Sequence, residues 1–357
     1  MEDESARTTT SDVGVIEDPR YLGHEGPLGH PERPDRLRAV SDAIATHEAH
    51  ITRVEARPAL DEEILLVHER AHLEHLHAAA ERAPGNLDPD TYLSPGSEEI
   101  ARLAAGAASE LALRIARGEL RAGLAAVRPP GHHAEADRAM GFCLLNNAAI
   151  ATRVVQQAAG VDRVLLLDWD VHHGNGSQHS FEGDPSVLYA STHQFPFYPG
   201  TGDFGERGHG QGEGSTLNIP LPAGCGDTEY LGVMRRLLVP ITEQWRPDMI
   251  IVSCGFDAHR DDPLGGMAVS GEGFAGMTHI LRALADALCG GRLLLVLEGG
   301  YALSGLLDAT EKTLEALLAE HAIPPHPTDL VPGSVLERVI SRVDQAQGEF
   351  FSGLGAL

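Results

Sequence analysis

The feature that most constrains the fold is a series of short apolar runs, each followed by a polar cluster. Five of these runs are strand-sized and nearly free of polar residues, as expected for strands buried on both faces of a sheet. The predicted strands are Ala125–Val127, Val164–Asp168, Val187–Ser191, Met249–Ser253 and Leu293–Leu297. Segments of helical periodicity separate them, with helices expected near 97–117, 143–159, 228–245, 272–289 and 303–320. This alternation predicts an α/β fold with a parallel sheet.

The polar clusters contain residue types that are used in catalysis. In an open α/β sheet, ligands bind beyond the carboxyl ends of the strands. We therefore expect the clusters to converge on one rim and to form an active site there. They are RPPGHHA (128–134), DWDVHHGN (168–175), STHQ (191–194), CGFD (254–257) and EGGY (298–301).

The segment that begins at Asp168 predicts a metal site. Because side chains alternate along a strand, Asp168, Asp170 and His172 should share one face. Two carboxylates in an apolar strand are costly to bury unless they are paired or metal-bound. With Asp170 and His172, Asp257 would complete two carboxylates and one imidazole, a three-ligand set that leaves a coordination position open as in catalytic zinc sites. A binuclear site would need a carboxylate two residues later, where the chain has His259, so one divalent metal is predicted, with zinc and iron(II) both suited.

Acid–base and donor groups are predicted at two other strand ends. His132 and His133 follow a stiff Pro-Pro-Gly turn and can both point into the crevice, where one could accept a proton from water and return it to a leaving group. Two surface histidines are the alternative. Tyr301, after a diglycine, could donate to an oxyanion, although a half-buried tyrosine without a function has the same pattern.

A competing metal motif occurs at His68-Glu69-Arg70-Ala71-His72, which matches the H-E-x-x-H helix of zinc proteases. The pattern is short, the chain has 19 histidines, and no extended third-ligand motif follows. Nearby leucines predict an amphipathic helix with these histidines towards solvent. A protease is therefore disfavoured.

Composition narrows the class of protein. With 27 basic and 52 acidic residues the net charge is −25, the wrong sign for direct binding of nucleic acid or an anionic membrane. The apolar runs are too short to span a bilayer. The four cysteines form no C-x-x-C pair, which argues against a cysteine zinc site and favours a reduced, cytoplasmic location. We expect a disordered tail at 1–12 rather than a signal peptide, a catalytic domain at 13–322, and a Pro-rich linker with a C-terminal helix at 323–357, packed on the same domain.

Taken together, the motifs resemble the zinc-dependent histone deacetylase family of the arginase/deacetylase superfamily. Within that family the chain is similar to class II and to the bacterial histone deacetylase-like amidohydrolases. The matching motifs, in the family's order, are HPERPDRLRAV (30–40), RPPGHHAEADRAMGFCLLNNAAIA (128–151), DWDVHHGNGSQ (168–178), FYPGTGD (197–203), GFDAHRDDPLGG (255–266) and EGGY (298–301). The resemblance implies a three-layer α/β fold with a mostly parallel sheet of about eight strands flanked by helices.

The resemblance also implies roles for individual residues. It assigns one Zn²⁺ per chain to Asp170, His172 and Asp257. His133 would act as general base and then general acid, and His132, oriented by Asp168, would be its electrostatic partner. Asn175 would contact His133, and Tyr301 would bind the oxyanion. The residues implied around the substrate are Phe142, Gly141, Tyr198, Asp90, Leu264 and Gly299. One K⁺ ion would be bound by the side chains of Asp168 and Ser191 with the carbonyls of Asp170, His172 and Thr192, and a second K⁺ ion by the backbone of Phe181, Asp184 and Val187.

The implied function is removal of acetyl or other acyl groups from acetyl-lysine or related acylated amines, with sensitivity to hydroxamates. Polyamine-selective relatives carry a glutamate at the position of Leu264, so leucine favours acetyl-lysine. An acetylpolyamine amidohydrolase, another small acyl-amide hydrolase and a non-catalytic acyl-lysine binding module are the alternatives. Related enzymes form dimers or tetramers, which leaves a homodimer or homotetramer open.

Overall fold

The computed structural model describes residues 11–326 and 329–356. Ten strands are present in this part of the chain. They are β1 (Val13–Ile16), β2 (Thr52–Arg53), β3 (Gly85–Asn86), β4 (Tyr92–Leu93), β5 (Ala122–Ala125), β6 (Val164–Asp168), β7 (Val187–Gln194), β8 (Thr216–Leu221), β9 (Met249–Cys254) and β10 (Leu293–Leu297). Eight of them form one sheet in the order β2-β1-β5-β10-β9-β6-β7-β8, and β3 pairs with β4 in a small hairpin. All neighbours in the large sheet are parallel, which confirms the predicted α/β fold.

Helices flank the sheet and cover its apolar strands. They are α1 (Asp35–Ala45), α2 (Asp61–Ile64), α3 (Arg70–Ala80), α4 (Ser97–Ala116), α5 (Asn147–Ala159), α6 (Asn175–Phe181), α7 (Asp227–Val233), α8 (Val239–Trp245), α9 (Gly271–Leu288), α10 (Leu303–Leu318) and α11 (Val335–Gln347). Helix α4 packs against α5, and α10 packs against both α1 and α9. Every residue of β6, β9 and β10 is buried, which is why these strands read as continuous apolar runs. None of the helices in the described ranges is long and apolar enough to cross a membrane.

The sheet register brings the polar clusters together. Asp168, at the end of β6, lies opposite Ser191 of β7 and Ser253 of β9. Leu297, at the end of β10, lies opposite Cys254. Because β5, β10, β9 and β6 are consecutive in the sheet, the segments that follow them leave the same edge side by side.

Several predicted boundaries differ from the structure. The strand predicted at Ala125–Val127 is β5, at Ala122–Ala125, where Gly123 weakens the apolar pattern. The helix predicted from residue 143 begins at Asn147, because the Asn146 side chain accepts a hydrogen bond from the Ala149 amide and caps it. The helix predicted at 228–245 is interrupted by a π-helical turn at Met234–Leu238.

Strands β1, β2, β3, β4 and β8 were not predicted. β2 has only two residues, and β8 contains Pro220, which normally argues against a strand. The structure tolerates this proline because β8 is the edge strand. Asp12 belongs to the predicted tail, but its backbone carbonyl accepts a hydrogen bond from the Arg121 amide at 2.7 Å. Residues 1–10 of that predicted tail lie outside the described residues.

The predicted C-terminal helix is α11, and it packs against α7 and β8. The Gln347 side chain donates to the Thr216 carbonyl of β8 at 2.7 Å. Of the Pro-rich stretch before it, Pro327 lies outside the described residues. The domain division at 13–322 and 323–357 stays a prediction.

Candidate active site and metal centre

A cavity of about 170 Å³ opens at the carboxyl ends of the strands. It gathers side chains from separate segments of the chain. The lining residues are Asp90, His133, Gly141, Phe142, His172, Phe197, Tyr198, Leu264 and Tyr301. A larger groove of about 610 Å³ lies along α11 and β8, but none of the candidate metal-ligand groups among the described residues lies there.

Phe197 is the cavity residue that the sequence analysis missed. Its ring stacks on the His172 imidazole, with centroids 5.4 Å apart and planes 16° from parallel. Tyr198, the predicted wall residue, meets both His133 and His172 edge-on, at 5.1 and 6.0 Å. An aromatic pair in FYPGTG was visible in the sequence, but only one of its members was assigned to the cavity.

Asp170, His172 and Asp257 form a compact group below this cavity, with candidate ligand atoms all within 4.8 Å of one another. His172 Nδ1 lies 3.1 Å from Asp170 Oδ1 and 3.2 Å from Asp257 Oδ2. The other carboxylate oxygens accept backbone hydrogen bonds, Asp170 Oδ2 from the Gly299 amide at 2.9 Å and Asp257 Oδ1 from the Val171 amide at 2.8 Å. Each carboxylate is therefore anchored on one side and presents its other oxygen to His172.

Gly299 is required at this place by close packing. A β-carbon there would lie 2.1 Å from Asp257 Oδ2 and 2.6 Å from Asp170 Oδ2. The predicted substrate role of Gly299 is therefore joined by a structural one, in which its amide holds the Asp170 carboxylate.

The charges of this group fit a divalent cation. Burial, with repulsion from the Asp170 carboxylate, raises the pKa of Asp257 to about 7. Burial opposes protonation of His172, but its hydrogen bonds to Asp170 and Asp257 outweigh this effect and raise its pKa to about 10. Two buried carboxylates that share one imidazole favour a positive charge between them. A divalent metal would supply that charge and satisfy all three groups.

His132 and His133 lie side by side with ring centroids 3.9 Å apart, but in opposite electrostatic surroundings. His132 Nδ1 is 2.9 Å from Asp168 Oδ2. Burial disfavours the charged form of His132, yet the carboxylates of Asp168 and Asp170 prevail and raise its pKa to about 10. Burial lowers the pKa of His133 well below its usual value, and the neighbouring His132 and His172 lower it further. Two titratable groups with pKa values pushed apart are the pattern of a divided acid–base pair.

Tyr301 lines the cavity, and neighbouring residues hold both its ring and its backbone. The Arg36 guanidinium lies 4.8 Å from the centre of its ring, and Arg36 Nε donates to the Gly300 carbonyl at 2.6 Å. The Tyr301 amide donates to Asp262 Oδ2 at 2.6 Å. Burial raises the pKa of Tyr301 well above 10, so its hydroxyl remains a hydrogen-bond donor.

A buried ion cluster anchors the loop that carries Gly300 and Tyr301, through Arg36. The sequence patterns indicated no role for this cluster. Glu32 is fully buried between Arg36, at 2.9 Å, and Arg128, at 2.6 Å. The Tyr92 hydroxyl donates to Glu32 Oε2 at 2.8 Å. Glu32 and Arg36 lie in HPERPDRLRAV, where the charged pair at i, i+4 was the available signal.

We expect Glu32→Ala to destabilise the fold by about 3–5 kcal/mol, because removal of one partner leaves two buried arginines uncompensated. Urea denaturation followed by fluorescence would measure this change. Glu48→Ala provides the control, since Glu48 pairs with Arg53 at an exposed position and such pairs contribute at most about 1 kcal/mol. Equal losses in the two variants would contradict a structural role for the buried cluster.

The remaining predicted substrate residues lie at the cavity. Asp90 is exposed at the rim, and its Oδ1 accepts from the Thr91 hydroxyl at 3.2 Å. Partial desolvation at the rim and the neighbouring Asp88 raise the pKa of Asp90. Leu264 is partly buried and its amide donates to Asp262 Oδ1 at 2.9 Å.

Asn175, predicted to contact His133, accepts from His133 Nδ1 at 2.8 Å.

The predicted K⁺ positions lie beside the metal-ligand group, and their role stays a prediction. Asp168 and Ser191 are register partners on β6 and β7, and Ser191 Oγ is 2.9 Å from His193 Nδ1. The Thr192 hydroxyl is buried and makes no hydrogen bond within the described residues. The second predicted site is a turn in which the Asp184 amide donates to the Phe181 carbonyl at 2.8 Å and the Val187 amide to the Asp184 carbonyl at 3.4 Å.

The H-E-x-x-H histidines do not face solvent, and that expectation was wrong. His68 and His72 are 3% and 1% exposed, and His68 precedes α3, which begins at Arg70. His68 Nδ1 bonds to the Glu135 carbonyl at 2.8 Å, and its Nε2 accepts from the Asn146 amide at 2.9 Å. Both ring nitrogens of His68 are thus occupied by backbone groups, an arrangement that leucine periodicity cannot reveal.

Comparison with known proteins gives concordant matches. A family model described as Histone deacetylase domain matches residues 30–317. The chain is 40% identical to Histone deacetylase 15 of Arabidopsis thaliana over 97% of this chain, and 39% identical to a Probable deacetylase of Archaeoglobus fulgidus over 86% of each chain. The crystal structure of HDA15 HD domain is similar with a TM-score of 0.88 at 40% identity, covering 96% of this chain and 95% of that chain. The chain spans 64% and 52% of the length of two plant relatives, Histone deacetylases 15 and 5.

Proposed function

Because this chain belongs to the histone deacetylase family, we propose that it is a zinc-dependent amidohydrolase that removes acetyl groups from acetyl-lysine side chains or related acylated amines. The observation that carries the proposal is the joint placement of three groups at one cavity. These are the ligand set of Asp170, His172 and Asp257, the buried imidazole of His133, and the hydroxyl-bearing Tyr301.

The shape of the cavity suits a linear acylated amine. Phe142 and Tyr198 provide aromatic walls, and the Phe142 ring meets Tyr301 edge-on with centroids 5.9 Å apart. Such walls can contact the methylene chain of a lysine side chain and leave polar groups only at the inner end. Asp90 at the rim can accept hydrogen bonds from backbone amides of a bound peptide.

The chain's own residues supply the proton transfers. When bound, Zn²⁺ would contribute Lewis acidity towards the acetyl carbonyl and the attacking water. His133, neutral in its buried position, accepts the proton from that water and later delivers it to the departing amine. His132, charged and oriented by Asp168, adds positive potential nearby. The Tyr301 hydroxyl donates a hydrogen bond to the developing oxyanion.

A direct test combines metal analysis with turnover of a fluorogenic acetyl-lysine peptide. The proposal expects about one zinc per chain, hydrolysis, and inhibition by a hydroxamate. A non-catalytic acyl-lysine binding module would bind the peptide and leave it intact.

K⁺ at one or two sites is part of the proposal, and added KCl should stabilise the protein more than an equal concentration of choline chloride.

We predict that acetyl-lysine peptides are better substrates than acetylputrescine, with a kcat/KM at least about tenfold higher, which corresponds to about 1.4 kcal/mol of differential transition-state binding. Leu264 at the cavity edge offers no countercharge to a distal ammonium group. Steady-state kinetics on the two substrates measures the ratio. Leu264→Glu is the matched variant, and it should shift the ratio towards acetylputrescine. A wild-type preference for acetylputrescine would establish the alternative, an acetylpolyamine amidohydrolase.

A further inference from the structure

We propose that Glu135 is a positioning residue that orients the Asn175 amide and thereby determines which nitrogen of His133 carries the proton. This inference rests on the proposed role of His133 as the base. Glu135 lies outside the cavity lining and has no role in the proposed function above.

The inference follows from hydrogen-bond donors and acceptors. Asn175 Nδ2 lies 2.6 Å from Glu135 Oε1. An ionised carboxylate can only accept hydrogen bonds, so the NH₂ end of the amide must face Glu135. The oxygen end of the same amide then faces His133, where Oδ1 is 2.8 Å from Nδ1. An amide oxygen can only accept, so the proton of neutral His133 lies on Nδ1 and the lone pair on Nε2.

The side chain at position 175 needs this orientation by Glu135 because it is an asparagine amide. A carboxylate at position 175 would accept from His133 in either orientation. An amide presents a donor to His133 if it rotates by half a turn, and the proton would then move to Nε2. Because the imidazole can accept a proton only at its unprotonated nitrogen, the orientation of Asn175 decides whether Nε2 can act as the base.

Glu135 is itself held in place. Its side chain is buried, with 5% of the residue exposed, and two basic side chains contact its carboxylate. His179 Nδ1 lies 2.9 Å from both of its carboxylate oxygens, and Arg138 lies at 3.6 Å. Burial favours its protonated form, but the hydrogen bonds from His179 and Asn175 outweigh burial and lower the pKa of Glu135. On the backbone side, the His68 ring bonds to the Glu135 carbonyl at 2.8 Å. His68, first noticed in a protease-like motif, thus supports the same acid–base unit.

A polarity swap between positions 135 and 175 tests the proposal. Glu135→Ala should lower kcat by about 10- to 100-fold, the usual cost of losing an orienting partner, with KM nearly unchanged. Asn175→Asp places two carboxylates against each other and should lower kcat to a similar extent. The double variant E135Q/N175D restores a donor–acceptor pair in reverse, because the introduced glutamine amide can donate to the introduced carboxylate, and it should recover most of kcat. Glu135→Gln alone keeps an acceptor oxygen and should lose less than Glu135→Ala.

Glu98→Ala is the matched control for a general loss of stability. Glu98 is also 5% exposed and bonds to a histidine and an arginine, His77 at 2.9 Å and Arg102 at 3.0 Å. It should lower the melting temperature about as much as Glu135→Ala while kcat is unchanged. The proposal is overturned if Glu135→Ala keeps its kcat, or if E135Q/N175D is no more active than Asn175→Asp.

A measurement independent of activity separates this inference from the proposed function. Imidazole ¹⁵N NMR of the metal-loaded protein, with His133 assigned by substitution, should show the Nδ1–H tautomer in the wild type and a tautomer mixture in Glu135→Ala. An Nε2–H tautomer in the wild type contradicts the inference. If the wild type fails to hydrolyse acetyl-lysine peptides, the proposed function fails, and the NMR result still decides the role of Glu135.

Discussion

Replacement of Asp257 by alanine is expected to abolish both metal binding and hydrolysis. Asp257 presents one carboxylate oxygen to His172 Nδ1 at 3.2 Å, and its removal leaves a two-ligand site. The loss of several kcal/mol of charge stabilisation corresponds to at least about a 10³-fold fall in kcat/KM. Metal content by mass spectrometry and peptide turnover measure the two effects.

Two further variants make this result specific. Asp261→Ala, four residues away at a position where the carboxylate is 61% exposed, should retain metal and rate. His68→Ala should also retain the metal, because both of its ring nitrogens contact backbone groups. Loss of zinc from His68→Ala with retention in Asp257→Ala would transfer the metal site to the H-E-x-x-H segment and refute the assignment.

Tyr301→Phe should keep the metal but lower kcat by about 10²–10³-fold, the usual cost of removing one oxyanion donor. The substitution preserves the aromatic ring beside the Arg36 guanidinium and the hydrogen bond that the residue 301 backbone amide donates to Asp262, so the loop should keep its conformation. Parallel measurements of kcat, KM and zinc content test this. Tyr230→Phe is the control, because the Tyr230 hydroxyl is also buried and makes no hydrogen bond within the described residues. Full activity in Tyr301→Phe would show that another group stabilises the oxyanion.

The candidate metal-ligand group was predictable because its residues follow buried strands. Asp170 and His172 come after β6 and Asp257 after β9, and parallel strands end at one edge of a sheet. Strand β8 escaped prediction because Pro220 breaks the local pattern, and only the sheet shows that this proline lies on an edge. Glu135 escaped for a different reason. Its partners, Asn175 and His179, are more than 35 positions away in the chain, as their separations of 40 and 44 residues show.

Local pattern and the order of motifs were enough to predict the fold class, the family resemblance and the candidate metal ligands. Three other features became visible only in three dimensions. The structure shows that His68 and His72 are buried, that Glu32 lies between Arg36 and Arg128, and that Glu135 faces Asn175. The physical reason is that the burial and hydrogen-bond partners of a polar side chain depend on segments distant in sequence, which periodicity along the chain does not encode.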